Sequence, residues 1–267
     1  MADANAASRS QFSSQISGTL PERPELVLVM DLDGTLLGGT LAQRRQFYSW
    51  LEDRRDGVLQ IFSTGRDLAA VRSLLGGDNG LPPPTPHLVI GDVGSTVACG
   101  LSLETVPIAV DPIEAQWQAV QPLLDGHLEG VAGLSPQLRN VERRYAFNYE
   151  PQVFDTAILS RLELLGVDCL LSDERFLDVL PAGVNKGTTL LRLLDLLDLP
   201  HGQVVTAGDT LNDLAMFRTG LNGVMVGNAE PKLRALHPEL ENIYLAEAHG
   251  CGGIAEGLRH FGLDCPV

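Results

Sequence analysis

The stretch Leu26-Val27-Leu28-Val29-Met30-Asp31-Leu32-Asp33-Gly34-Thr35 decides the fold. An apolar run of strand length ends abruptly in two carboxylates one residue apart, then a glycine and a hydroxyl. A strand buried on both faces of a parallel sheet reads as such a run, and open α/β sheets bind ligands beyond the carboxyl ends of their strands. Asp31 is therefore predicted at a strand tip, with Asp33 on the same side if the chain stays extended. Gly34 permits a sharp exit from the strand. Two neighbouring carboxylates repel unless a cation or a shared proton relieves them. A solvated turn uses the same residue types, so the rest of the chain has to decide.

The same pattern returns outward from this stretch. A helix predicted over 41–56 leads to the strand Val58–Phe62, which runs into Ser63-Thr64-Gly65-Arg66 and a helix starting near Asp67. A strand tip, a small hydroxyl, a glycine and a helix start are the ingredients for holding a phosphate oxygen; Thr64 is the stronger candidate and Arg66 the weaker. His87–Asp92 is a third strand, ending at Val93-Gly94-Ser95-Thr96. Alternating strands and helices predict a doubly wound parallel sheet whose tips converge.

After about residue 97 the pattern changes. A helix from Asp111-Pro112 to Leu124, a period-two strand from Val141 to Tyr149, a helix over 156–165 and a hairpin over 167–180 make a small α+β insertion. Its Arg139, Arg143, Arg144 and Asn148 are candidates for substrate contact. From Pro181 the alternation resumes: Asn185-Lys186-Gly187 precedes a helix, and the strand at Val204 ends in Gly208-Asp209-Thr210-Leu211-Asn212-Asp213. The predicted organisation is a mobile arm over 1–24, a core of 25–97 and 181–267, and an insertion of 98–180.

Composition narrows the function. At 267 residues the chain can bury a full core. A net charge of -15 and 5% aromatic content argue against nucleic acid or an anionic membrane as partner. An anionic substrate would then need local cations. Cys99, Cys169, Cys251 and Cys265 have no metal-ligand spacing, which fits a cytoplasmic protein with reduced thiols. No stretch reaches transmembrane length and no secretory signal is evident.

Asp31, Asp33, Asp209 and Asp213 thus form two pairs of acids at strand ends, a hard-oxygen set that suits Mg²⁺. With Thr64 and Lys186 nearby, the chemistry indicated is phosphoryl transfer, with Asp31 as nucleophile and Asp33 as acid and base.

Taken together, Asp31-Leu32-Asp33-Gly34-Thr35, Ser63-Thr64-Gly65-Arg66, Lys186 and Gly208–Asp213 resemble the four motifs of the haloacid dehalogenase (HAD) superfamily of phosphatases. The insertion between the second and third motifs is similar to a C2B-type cap. Val93-Gly94-Ser95 and Asp178–Gly187 resemble the sucrose-phosphatase-like branch, and Leu37-Gly38-Gly39 resembles glucosylglycerol-phosphate phosphatase domains. The resemblance implies that Asp31 and the Asp33 carbonyl bind the metal with Asp209, and that Asp213 acts through water or orients Lys186. It implies that Thr64, with Gly65 and Arg66 beside it, and Lys186 hold the phosphoryl group, that Asn212 binds phosphate or substrate, and that Gly94 and Ser95 lie at the cap hinge near the site. The function it implies is Mg²⁺-dependent hydrolysis of a phosphorylated sugar or glycoside. A phosphosugar mutase and a phosphate-responsive regulatory protein are the alternatives.

Overall fold

The computed structural model describes residues 2–78, 80–138 and 141–266. Strands β1 (Leu26–Met30), β2 (Val58–Ser63), β3 (Leu88–Gly91) and β4 (Thr96–Cys99) alternate with helices α1 (Ala2–Ser14), α2 (Leu41–Asp53) and α3 (Leu68–Leu75). Helix α4 (Pro107–Val120) leads to β5 (Leu134–Pro136), β6 (Tyr145–Tyr149), α5 (Ala157–Glu163), β7 (Val167–Ser172) and β8 (Phe176–Pro181). The chain closes with α6 (Lys186–Leu197), β9 (Val204–Gly208), α7 (Leu214–Phe217), β10 (Asn222–Met225), α8 (Pro231–Leu236), β11 (Ile243–Leu245) and α9 (Cys251–His260).

The main sheet runs β11-β10-β9-β1-β2-β3-β4, parallel except for β4, which returns antiparallel along β3. Strand β1 sits in the middle, and all five of its side chains are buried because both sheet faces are covered. Leu28 and Met30 join Phe47 and Leu51 of α2 and Ile254 of α9 on one face. Val27 and Val29 join Leu190 and Leu194 of α6 on the other. Each such side chain contributes roughly 2 kcal/mol through burial. The α/β reading of the sequence holds here.

A second, smaller sheet runs β5-β6-β8-β7, wholly antiparallel. Trp117, Phe147, Leu162, Leu177 and Val179 form its own core. The expected α+β insertion is therefore present.

Three local expectations need correction. The antiparallel strand β4 lies where the sequence suggested the alternation simply ended. Helix α4 starts at Pro107 rather than at Asp111-Pro112, since Pro107 supplies the pre-set φ of a first helical turn, and Pro112 lies inside the helix. Residues 2–14, expected within a mobile arm, form α1. Its Phe12 is fully buried among Leu190, Leu194 and Val110, and Gln15 Oε1 accepts a hydrogen bond from the Ile108 N–H at the start of α4 (2.9 Å). Docking, rather than an amphipathic pattern of its own, holds this alanine-rich helix in place.

Candidate active site

Parallel pairing sets Met30 beside both Phe62 and Ala207. The next residues on these strands, Asp31, Ser63 and Gly208, therefore lie side by side at the strand ends. After Asp31 the chain makes one wide turn, with the Leu36 N–H donating to the Asp31 carbonyl (3.1 Å). Gly34 has a φ of +80°, and a Cβ there would lie 2.1 Å from Asp209 Oδ2. The turn is thus pressed directly onto the second acid loop.

Lys186 lies between the two acid groups. Its Nζ donates to Asp31 Oδ1 (2.7 Å), Asp213 Oδ1 (2.6 Å) and Asn212 Oδ1 (2.7 Å), and the residue is fully buried. Asn185 caps α6 by accepting from the Thr188 N–H, which aims this first-turn lysine at the strand tips. Burial disfavours the ammonium, but Asp213 and Asp31 outweigh it and raise the lysine pKa.

Asp213 shapes the loop as well. Its second oxygen accepts from the N–H groups of Asp209 (3.0 Å) and Thr210 (3.1 Å). Asp209 Oδ1 accepts from Thr35 Oγ1 (2.8 Å). Burial and the neighbouring Asp213 push the Asp209 pKa up to about 7. Asp31 is raised well above the ordinary carboxylate range, first by burial, against the opposing pull of Lys186.

Asp33 is placed differently from the other three acids. Its carboxylate accepts from Arg66 Nε (2.8 Å) and Nη2 (2.6 Å), at the mouth of a cavity of about 620 Å³ between the two sheets. Asp31, Asp33, Gly65, Arg66, Asp209 and Asn212 face that cavity from the main sheet. Thr64 and Lys186 are buried and are not among its lining residues.

Gly94 and Ser95 are also absent from the lining. Gly94 has a φ of +107° and packs so tightly on Asn185 that a Cβ would lie 2.3 Å from the Asn185 carbonyl carbon. The Ser95 carbonyl accepts from Arg143 Nε (3.0 Å). Both residues belong to the seam between the sheets. Of the insertion residues singled out from sequence, Arg144 reaches the cavity, Arg143 and Asn148 do not, and Arg139 lies outside the described residues. Gln137, Ser172, Asp173 and Phe176 form the insertion's wall of the cavity.

Sequence reasoning missed Asn228. Its Nδ2 donates to the Gly34 carbonyl (2.9 Å) and its Oδ1 accepts from the Gly250 N–H (2.9 Å). It stands just beyond the tip of β10, where the strand-end rule used for the other residues would have found it.

Residues 24–262 match the family model described as sucrose-6F-phosphate phosphohydrolase. The chain belongs to this family, within the HAD phosphatases. Among its relatives, the mannosylfructose-phosphate phosphatase of Agrobacterium fabrum is 32% identical over 255 residues, covering 91% of this chain and 99% of that protein. The glucosylglycerol-phosphate synthase of Pseudomonas anguilliseptica is 38% identical over 237 residues, 89% of this chain but 31% of that protein. Among solved structures, the sucrose-phosphatase of Synechocystis sp. PCC6803, in complex with sucrose and phosphate, superposes with a TM-score of 0.80 at 26% identity, covering 90% of this chain and 98% of that one.

As a HAD phosphatase the chain has a cluster suited to Mg²⁺. Asp31, Asp209 and Asp213 are buried, with candidate ligand oxygens within 4.8 Å of one another. Three carboxylates face one ammonium, and this excess of negative charge adds to burial, the larger cause, in raising the Asp31 and Asp209 pKa values. A hard divalent cation relieves it, and the all-oxygen donor set matches Mg²⁺ rather than zinc. No helix among the described residues is long and apolar enough to cross a membrane.

Proposed function

We propose that this protein hydrolyses a phosphate monoester of a neutral sugar or glycoside, of the sucrose phosphate or glucosylglycerol phosphate kind. The observation that carries this reading is Asp31 facing a cavity walled by both sheets while Lys186, buried behind it, bridges Asp31 to Asp213. The relatives' names supply the substrate kind. We divide the chain into a catalytic core (25–97 and 181–267) and a cap (98–180).

Asp31 is assigned as the nucleophile. Its carboxylate oxygen bonds to phosphorus as the bond to the sugar oxygen breaks, giving an aspartyl-phosphate. Asp33 gives a proton to the departing sugar oxygen and then takes one from the water that attacks the intermediate. Its Arg66 partner holds it facing the cavity. Lys186, Thr64 and Asn212 hold the phosphoryl oxygens, and Lys186 offsets repulsion between that group and Asp31. Asp31, Asp209 and Asp213, with the Asp33 carbonyl, are the residues to hold Mg²⁺, which when bound neutralises charge on the transferring phosphoryl group. The four free thiols support a cytoplasmic setting.

The test is phosphate release from sucrose 6-phosphate, glucosylglycerol phosphate, mannosylfructose phosphate, glucose 6-phosphate and mannosyl-3-phosphoglycerate, with Mg²⁺ and with EDTA. EDTA-sensitive release selective for one of the first three supports the reading. Release dependent on a bisphosphate activator points to a mutase, and a stable phospho-Asp31 without turnover to a regulatory protein.

A further inference from the structure

Arg144 is one of the largest fully buried side chains described, at 2% exposure. It precedes β6 of the cap, yet its partners lie on both sides of the seam. Nη1 is paired with Asp178 of the cap strand β8. Nε and Nη2 donate to Asp92 Oδ1 of the core (3.3 and 3.1 Å). Nη2 also donates to the carbonyl of Gly65 (2.9 Å), inside the Thr64-Gly65-Arg66 loop. A guanidinium engaged by two carboxylates and a carbonyl has little capacity left for a substrate. Arg144 is one of the sequence's candidates for substrate contact and does line the cavity; these partners give it further work.

The carbonyls of this loop are held one after another. Thr64 O accepts from the Val93 N–H (3.1 Å), Gly65 O from Arg144, and Arg66 O from the Asp92 N–H (2.9 Å). The outer two are held by the core's own hinge turn, where Asp92 and Val93 both have positive φ (51° and 58°). The middle one is held by the cap. Its peptide is planar, so fixing the Gly65 carbonyl fixes the Arg66 N–H on the same unit. That N–H donates to Thr64 Oγ1 (3.1 Å). One rigid peptide therefore connects the cap's guanidinium to the hydroxyl assigned to hold phosphate.

We propose that Arg144 is a positioning residue that makes seating of the cap set the orientation of the Thr64 hydroxyl, so that the phosphate loop is formed only when the cap is in place. The proposal rests on the phosphate role given to Thr64. Arg143 supports the same seam independently, donating to the Ser95 carbonyl and to Thr96 Oγ1 (3.2 Å). It touches none of the three loop carbonyls, so Arg144 alone of the two forms the relay.

Inorganic phosphate with Mg²⁺ is the probe that separates this role from sugar recognition and from simple stability, because it has no sugar to contact the cap. Its affinity is measured by calorimetry for wild type, Arg144→Met, Thr64→Val and the double variant, at a temperature where each is folded. Arg144→Met is expected to weaken phosphate about tenfold, as loss of one charge-assisted hydrogen bond does. The double variant should be no weaker than Thr64→Val alone, since both lie on one path. Arg144→Lys, which keeps the charge on one attachment, should recover part of the loss and replaces Arg144→Met if that variant does not fold. Hydrogen exchange in the peptide spanning 64–67 should also accelerate in Arg144→Met while that of β1 is unchanged.

Unchanged phosphate affinity, additive losses, or unaltered exchange at 64–67 would each overturn the proposal. If wild type binds no phosphate at all, the functional reading of the site falls, and the exchange measurement still decides whether the relay exists.

Discussion

Lys186 Nζ lies 2.7 Å from Asp31 Oδ1, although the two residues are 155 positions apart in the chain. The ammonium is the counter-charge that lets several carboxylates share one buried pocket. Replacing it by Met leaves Asp31 and Asp213 without their cation. Breaking a buried pair on one side costs about 3–5 kcal/mol. Lys186→Met should therefore lower the unfolding free energy by that order in EDTA, measured by urea denaturation, and phosphate release should be lost. A variant as stable and as active as wild type would remove Lys186 from the account.

Gly34 packs against the Asp209 carboxylate with no room for a side chain. An added Cβ at Gly34 meets the Asp209 carboxylate and also requires a strained positive φ. Gly34→Ala should displace Asp209, and the rise in melting temperature that Mg²⁺ gives wild type should shrink or vanish. A full Mg²⁺-induced rise in this variant would mean that Asp209 does not hold the cation.

Much of this site was legible before any coordinates. Asp31, Thr64 and Asp209 were found because a buried strand that ends in a polar residue advertises its tip. Lys186 was named only through the company of the other motifs, since a lysine before a helix is usually solvated. What escaped has one physical cause: it depends on contacts between distant segments. Arg144, a candidate for substrate contact that does line the cavity, is also engaged by Asp92 and Asp178, which no local pattern reveals. Helix α1 carries too few apolar residues to signal a docked face, and its place is fixed by Phe12 against α6 and α4. Asp111-Pro112 looked like a helix start because proline favours first turns, yet Pro107 had already supplied one.

His87 gives the protein a predictable acid response. Its Nδ1 accepts the Gln60 N–H (3.0 Å), and burial, helped by Arg55, lowers its pKa to about 4. The unfolded chain takes up this proton near pH 6.5 while the folded one does not, so stability falls as pH drops from about 6.5 to about 4. The slope from this group is about 1.4 kcal/mol per pH unit, ending once the folded state also protonates. His87→Asn, whose Oδ1 can accept the same N–H, should show a shallower fall over that window. Parallel curves for the two proteins would show that His87 does not titrate this way.

Phe12 anchors α1 across α6 and α4. Phe12→Ala should cost about 3 kcal/mol, as for other buried phenylalanines, while Phe12→Leu should cost less than half of that. Urea denaturation of both variants measures it. If Phe12→Ala is as stable as wild type, the helix is not docked.

The central claim is that Asp31 is the nucleophile of a Mg²⁺-dependent phosphosugar hydrolase. The most direct measurement compares phosphate release by wild type and Asp31→Asn on the best substrate of the panel, with Mg²⁺ and with EDTA, alongside their melting temperatures. The account predicts EDTA-sensitive release by wild type and none by Asp31→Asn, with the variant melting no lower because it removes one of three crowded carboxylates. Release by a folded Asp31→Asn at near the wild-type rate would contradict it.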